Sequence, residues 1–280
     1  MGELHSLHDI GRDAVALARG LISSTEFQEI EPKGDRDMVT NVDKTVEREV
    51  RRFLSKRAPH VGFIGEEERP NRLPGYNWVL DPIDGTANFI HGLPLYSIAL
   101  SLLHEDSIVA GLIDIPSMGL SYSSMLGCGA FLDGERISCS PIDKLSDAIV
   151  AVSDFSLGEN ADNKNTILMR VIEELAKRVQ RVRLIGSAAI SLAWVADGRL
   201  DAAVILSNEP WDTSAGILLS TEAGASAYDA LGAVHRLHSG SAVAVNCKLE
   251  YDLVPLVSEA ISSVPRGVSI MASRPHVTVS

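Results

Sequence analysis

The sequence predicts a mixed α/β protein: an antiparallel-rich α+β half over residues 1–140, an alternating α/β half over residues 141–265, and a mobile tail over residues 266–280. Three observations carry this. Two N-terminal segments place apolar residues at helical spacing. Between Tyr96 and Ser140, apolar runs pair across short turn signals, as antiparallel hairpins do. After Pro141, short buried-type runs alternate with longer amphipathic ones, the pattern of a sheet covered by helices.

Taken in order, the first element is a helix over Leu4–Ser24, with Leu4, Leu7, Ala14, Ala18 and Leu21 on one face. Asp37-Met-Val-Thr-Asn-Val-Asp43 leads into a second helix, closed by Pro59, whose apolar face is Val46, Val50, Phe53 and Leu54. Glu47 and Arg51 are spaced to pair on its surface. Val61–Ile64 reads as a strand ending in Gly65-Glu66-Glu67-Glu68, and Trp78–Leu80 as a strand delivering Asp81. Ser97–Leu103 and Ser107–Ile113 form one hairpin around His104-Glu-Asp106. Gly127–Leu132 and Arg136–Ser138 form another around Asp133-Gly-Glu135. Then follow a strand over Ala148–Ser153, a helix over Asn165–Arg178, a strand over Val182–Ile185, and a helix from the Gly186-Ser187-Ala188 turn to Asp197, stopped by Gly198. Leu200–Leu206 is a strand, Pro210-Trp211-Asp212 opens a helix that ends before Gly224, Ala242–Val245 is a strand and Lys248–Ser263 the last helix.

The composition excludes several functions. A formal net charge of −12 argues against a nucleic-acid backbone as partner. No apolar run approaches the roughly 18 residues of a membrane span, and no signal peptide is visible, so a cytoplasmic protein is expected. Cys128, Cys139 and Cys247 are an odd number without zinc-ribbon spacing, which predicts buried thiols in a reducing compartment.

Trp78-Val-Leu-Asp-Pro-Ile-Asp-Gly-Thr-Ala-Asn-Phe-Ile-His91 organises the chain. Pro82 biases Asp81 toward extended backbone and is expected to end the strand there. Gly85 and Thr86 can aim backbone N–H groups at an anion if a helix starts here. Carboxylates beside free amides suit a metal-bridged phosphate. A plain Asp-rich turn, with Asp84 as a helix N-cap, competes with that reading. Glu66, Asp81, Asp84 and Asp212 all stand where an apolar element meets a loop or a helix start, where ligand sites of open α/β sheets gather. Their mutual repulsion calls for hard cations, and oxygen-only ligands favour Mg²⁺ over zinc.

Asp37–Asp43, Gly65-Glu66-Glu67, Asp81-Pro-Ile-Asp-Gly-Thr86, Gly186-Ser187-Ala188 and Trp211-Asp212 together resemble the motifs of the inositol monophosphatase family, in its order and at compatible spacing, over roughly Leu4 to Ser263. The resemblance implies a lithium-sensitive, metal-dependent phosphatase with a layered α/β/α/β/α sandwich, acting as a homodimer. It implies two to three Mg²⁺ ions: one on Glu66, Asp81 and the Ile83 carbonyl, a second on Asp81, Asp84 and Asp212, and a weaker third leaning on Glu66. Gly85 and Thr86 would hold the phosphate. Asp43 and Thr86 would orient and deprotonate the attacking water, with Glu66 assisting. Asp84, Gly186, Ser187 and Ala188 would touch the substrate. A purely structural helix cap remains the other reading of Asp43.

The chain departs from the family where a glutamate seven residues before the last metal aspartate reads a substrate hydroxyl. Ile205 stands there, with Glu209 nearer to Asp212, and Ser214 and Ser220 replace small apolar residues. The expected activity is therefore hydrolysis of a small polyol or sugar phosphate, with inositol 1-phosphate the best single substrate. Histidinol phosphate, fructose 1,6-bisphosphate, 3′-phosphoadenosine phosphates and a specialised-pathway sugar phosphate are rivals. A catalytically silent metal-binding regulator is the alternative from another class, and the intact acid set speaks against it.

Overall fold

Helical spacing becomes helix at both N-terminal positions. In the protein, here a computed structural model that describes residues 2–27, 29–34, 38–158 and 160–264, α1 spans Gly2–Ser24 and α2 spans Asn41–Arg57. Asp37, at the head of its motif, and the tail over residues 266–280 lie outside the described residues. Leu7, Ile10, Ala14 and Ala18 of α1 and Val42, Val46, Val50 and Leu54 of α2 bury their stripes against one face of a large sheet. That contact includes Trp78, Leu100, Leu102 and Leu112. Burial on this scale is worth roughly 1.5–3 kcal/mol for each large side chain.

A small ribbon, β1 (Ile30–Pro32) with β2 (Met38–Thr40), joins the two helices. The large sheet has seven strands in chain order: β3 (Gly62–Gly65), β4 (Tyr76–Asp84), β5 (Ser97–His104), β6 (Ser107–Ile115), β7 (Leu120–Met125), β8 (Gly129–Leu132) and β9 (Glu135–Arg136). Only β3 and β4 pair in parallel; every other pairing is antiparallel. A short helix, α3 (Thr86–Ile90), sits between β4 and β5.

The second sheet has five strands ordered β11-β10-β12-β14-β13. They are β10 (Ile149–Val152), β11 (Arg181–Leu184), β12 (Ala202–Ile205), β13 (Ala225–Tyr228) and β14 (Ala242–Asn246). Its helices are α4 (Ala161–Ala176), α5 (Ala188–Ala196), α6 (Pro210–Glu222) and α7 (Glu250–Ser262). The period of two along its strands sorts residues between two cores. Val150, Ala202, Val204, Val243 and Val245 face α4 and α7, whereas Ala151, Ala203, Ile205, Ala242 and Ala244 face α5 and α6. The same α5–α6 layer packs on Ala99, Ile113 and Tyr122 of the first sheet. The order of layers is thus α1/α2, sheet, α5/α6, sheet, α4/α7, the five-layered α/β/α/β/α sandwich.

Small residues line the central layer because the backbones approach closely. A Cβ on Gly111 would stand 2.5 Å from the Ala215 carbonyl, and one on Gly216 would stand 2.4 Å from Leu192. Ser214 and Ser220 belong to this packing. The Ser214 hydroxyl meets that of Ser101 at 2.7 Å, and Ser220 donates to the Leu192 carbonyl at 2.9 Å. Both are buried and tied to neighbouring layers.

Several expectations are corrected. Pro82 does not end β4; the strand runs on to Asp84 with its register shifted between Asp81 and Asp84, and an irregularity tolerates a residue without N–H. Glu47 is fully buried and does not pair with Arg51, which instead donates to Glu68 and to the Arg69 carbonyl. Cys128 and Cys247 are exposed and Cys139 half-buried, all three as free thiols. β7 and β13 carry no clear strand signal in the sequence: β7 is serine-rich, with only Tyr122 and Ser124 buried, and β13 is short. Among the described residues, no helix is long and apolar enough to cross a membrane.

Candidate active site

The acids converge where β3, β4 and the first turn of α6 meet. Asp81 is 2% exposed and Asp84 8%. Burial, then the charges of Glu66, Asp84 and Asp212, push the Asp81 carboxyl well above the usual range. Burial, then Asp84, Glu66 and Glu209, do the same to Asp212. Asp81 and Asp212 both respond to Glu66 and Asp84, so the four acids lie close together. Asp84 is also raised by burial, to about 6, against the pull of hydrogen bonds from Ser187 and the α5 amides.

Asp84 is not the N-cap of its own helix. Gly85, in the left-handed region at φ 92°, precedes α3 and supplies no side chain. A Cβ on Gly85 would also stand 2.8 Å from the Leu95 carbonyl, so the turn requires glycine on both counts. The Asp84 carboxylate crosses to the second sheet's side of the molecule. It accepts the Ser187 hydroxyl and the backbone N–H groups of Ala188 at 3.2 Å and Ala189 at 2.9 Å. A negative charge over the first turn of α5 is favoured by the helix dipole. Ser187 N-caps that helix by accepting from the Ile190 amide at 3.1 Å. Gly186, Ser187 and Ala188 are thereby held against the Asp84 turn. Asn88 of α3 reinforces the join, donating to the carbonyls of Leu95 and Ile185.

The two carboxylate oxygens of Asp43 have different partners. Oδ2 accepts from the Thr40 amide at 2.9 Å and from its hydroxyl, closing a capping box on α2. Oδ1 faces Thr86, whose Oγ1 lies 3.3 Å away and also donates to the Ile83 carbonyl at 2.9 Å. Burial raises the Asp43 carboxyl above its ordinary value. The chain Asp43–Thr86–Ile83 carbonyl therefore runs along one edge of the acid cluster.

Glu47 fixes the Gly65-Glu66-Glu67 turn. Its carboxylate accepts the backbone N–H groups of Glu67 and Glu68, each at 2.8 Å. A Cβ on Gly65 would stand 2.3 Å from the same carboxyl group, so only glycine lets the turn sit on it. Sequence reading missed this role, because Glu47 sits at surface-pair spacing and its amide partners are remote in sequence. Lys33 was also missed. Its ammonium contacts Glu66 Oε1 at 2.7 Å and also Glu67. Burial works against that charge, but Glu66 and Glu67 outweigh it and raise the Lys33 pKa. Burial, followed by the Lys33 contact and Glu66, leaves Glu67 at about 7.

The donor set is all oxygen and is crowded with like charge, the chemistry a hard divalent cation relieves. Among the described residues, no three His, Cys, Asp or Glu side chains are closed to metal-binding geometry, with Glu66 drawn onto Lys33. The residues fit a hard divalent cation such as Mg²⁺ by the chemistry of their oxygen donors.

A cleft of about 430 Å³ opens beside Asp84 and Asp212 and includes Gly186, Ser187 and Ala188. Ile205 is 3% exposed, on β12, and forms part of both the central core and the cleft lining. Glu209 precedes α6, and its charge raises the Asp212 carboxyl. Two larger clefts, of about 1030 and 710 Å³, lie on α1 with β7 and along β13, away from the acids.

Comparison with known proteins places this geometry. A family model for the inositol monophosphatase family matches residues 6–262. An inositol-1-monophosphatase of Mesorhizobium japonicum is 34% identical over 257 residues, 89% of this chain and 95% of that one. A fructose-1,6-bisphosphatase/inositol-1-monophosphatase of Thermotoga maritima is 32% identical over 234 residues, 82% of this chain and 86% of that one. Among solved structures, the extragenic suppressor protein suhB of Bartonella henselae superposes with a TM-score of 0.83 at 27% identity, covering 90% of this chain and 98% of that one. A Thermotoga maritima IMPase gives 0.83 at 28% identity, covering 91% and 97%.

Proposed function

This chain belongs to the inositol monophosphatase family, whose members hydrolyse phosphate monoesters, and from that premise we propose a Mg²⁺-dependent phosphatase of a small polyol or sugar phosphate. The observation that carries the proposal is Asp81, buried among Glu66, Asp84 and Asp212 and destabilised by all three. Entering cations would relieve the mutual repulsion of such a cluster at neutral pH.

Glu66, Asp81 and the Ile83 carbonyl would hold one Mg²⁺, and Asp81, Asp84 and Asp212 a second; a third would draw Glu66 from Lys33. When bound, the ions make a coordinated water more acidic and screen the charge of the phosphoryl group. The chain's own residues do the rest. The amides of Gly85, the N-cap of α3, and of Thr86, its first residue, precede the helix's own hydrogen bonds and would hold phosphate oxygens. Thr86 and Asp43 orient the water: Asp43 Oδ1 takes a proton through the Thr86 hydroxyl, and its raised pKa moves it toward the operating range of a base. Attack by a water held in line needs no covalent enzyme intermediate. Ser187 and the α5 amides keep the Asp84 carboxylate aimed into the site.

Inositol 1-phosphate is the reference substrate, because similar proteins carry inositol monophosphatase names. Ile205 offers no carboxylate to read a ring hydroxyl, so several esters should be accepted. The test is phosphate release from inositol 1-phosphate, glycerol 2-phosphate, fructose 1,6-bisphosphate and histidinol phosphate, with Mg²⁺ and with a chelator. Mg²⁺-dependent release from at least one ester is expected. Release from none would leave the silent metal-binding regulator as the better reading.

A further inference from the structure

The cleft beside the acids contains one carboxylate that the reaction leaves unused. Asp154 follows β10 and lines the cleft with Gly186, Ser187 and Ile205. Its Oδ2 lies close to the Gly186 backbone: a Cβ built there would be 3.1 Å away. Among the described residues, Asp154 has neither a hydrogen bond nor an ion pair. Its side chain is exposed, and contact with the cleft wall raises its carboxyl. Nor is it among the groups that chiefly shift Asp81, Asp84 or Asp212, which are moved by burial, by one another and by nearer partners. Asp84 and Asp212 line the same cleft, so the organic part of an ester held through those acids would reach Asp154.

The surroundings define what it would accept. The described residues lining this cleft include no lysine, arginine or histidine. Ile205 supplies an apolar floor, and Phe155 and Leu157, 45% and 40% exposed, an apolar rim. Asp154 is exposed within this cleft, so a bound ester can reach its carboxylate, and a protonated amine pairs with it through a charge-assisted hydrogen bond that a hydroxyl makes only more weakly. A second phosphate would meet that charge with none opposite to offset it.

We propose that Asp154 determines specificity by pairing with a protonated amine on the organic part of the ester, so that this enzyme prefers amino-polyol or amino-sugar monophosphates and disfavours bisphosphates. This rests on the phosphatase reading above. The geometry assigns Asp154 to substrate binding only, with no proton transfer and no metal contact.

The test uses matched esters that differ by amine against hydroxyl: glucosamine 6-phosphate with glucose 6-phosphate, and glucosamine 1-phosphate with glucose 1-phosphate. Fructose 1,6-bisphosphate is compared with fructose 6-phosphate. A charge-assisted contact predicts that kcat/KM favours the amine by about tenfold or more in at least one pair. In Asp154→Asn that ratio should fall to within about threefold of unity, and the bisphosphate should gain on its monophosphate, as expected when one charge is removed from the site. Half-saturating Mg²⁺ should stay within about twofold, since a lost metal ligand shifts it much further. No amine preference in the parent, a preference unchanged in Asp154→Asn, or a large shift in Mg²⁺ dependence each overturns the proposal. If no ester at all is hydrolysed, the phosphatase reading fails and this inference falls with it.

Discussion

Replacing Glu47 with alanine should unfasten the turn that carries Glu66, because the Glu47 carboxylate holds that turn by its backbone amides. The substitution strands the amides of Glu67 and Glu68, each 2.8 Å from a Glu47 oxygen, and opens a space beneath Gly65. Hydrogen bonds to a charged group are worth roughly 1.5–3 kcal/mol each. Two of them, less what entering water restores, put the loss at about 3–4 kcal/mol. A domain of this size loses about 2–4 °C of Tm per kcal/mol, so the melting point should fall by about 10 °C. Glu47→Gln keeps the shape and one carbonyl acceptor and should lose about half as much. Mg²⁺ affinity, measured by calorimetry on each variant, should weaken by about tenfold for alanine, as for other residues that orient a ligand. An alanine variant that melts within about 2 °C of the parent and binds Mg²⁺ equally well would refute the reasoning.

Thr86→Ala removes the hydroxyl between Asp43 and the Ile83 carbonyl but keeps the α3 amide, so kcat should fall by about 10²–10⁴ with KM little changed; steady-state kinetics in which KM rises and kcat holds would make Thr86 a binding residue only. The pH dependence of the Mg²⁺-induced Tm gain follows from Asp84. Its folded-state pKa, raised to about 6 from an ordinary 3.8, gives the metal-free protein stability that is present below about pH 4 and lost as pH rises through 6. That loss is roughly 3 kcal/mol, and Mg²⁺ offsets it, so the gain on adding Mg²⁺ should grow from pH 5 to pH 7.5. His235, held to about 4 by burial, works in the opposite sense but lies away from the acids and cancels in the difference. A Mg²⁺ gain that is flat or shrinks over this range would contradict it. Ile205→Glu should lower Tm by several degrees, because that side chain is part of the central core as well as the cleft lining; a variant with unchanged Tm and a sharpened preference for inositol 1-phosphate would assign the position to substrate reading alone.

The framework of this molecule is legible in the sequence because its signals are local. Leu7, Ala14 and Ala18 mark α1 by spacing alone, and the paired runs around His104-Glu-Asp106 mark the β5–β6 hairpin. The acids were found through their places at element ends, and their grouping through the motifs of a known family. What escaped depends on partners distant in sequence. Glu47 serves amides 20 and 21 residues away, and the Asp84 carboxylate caps a helix more than 100 residues on. Lys33 stands between Pro32 and Gly34 in a loop without any periodic signal, 33 residues from the glutamate it holds. Asp154 reads as one more polar residue after a strand, and only the folded cleft shows that it has no partner. Pro82 misled, since a rule for regular strands was applied where the register shifts.

In the proposed mechanism Asp81 is the shared anchor of cations that activate water. Its most direct test is the initial rate of phosphate release from inositol 1-phosphate as Mg²⁺ is titrated into chelator-stripped enzyme, for the parent and for Asp81→Asn. The parent should be inactive without Mg²⁺ and recover with a saturable dependence. Asp81→Asn should remain folded, melt no lower than the parent when stripped of metal, and stay at least about 10³-fold slower at the highest Mg²⁺, the cost expected for losing several kcal/mol of transition-state stabilisation. Parent activity that persists in chelator, or Asp81→Asn turnover close to the parent's at saturating Mg²⁺, would contradict it.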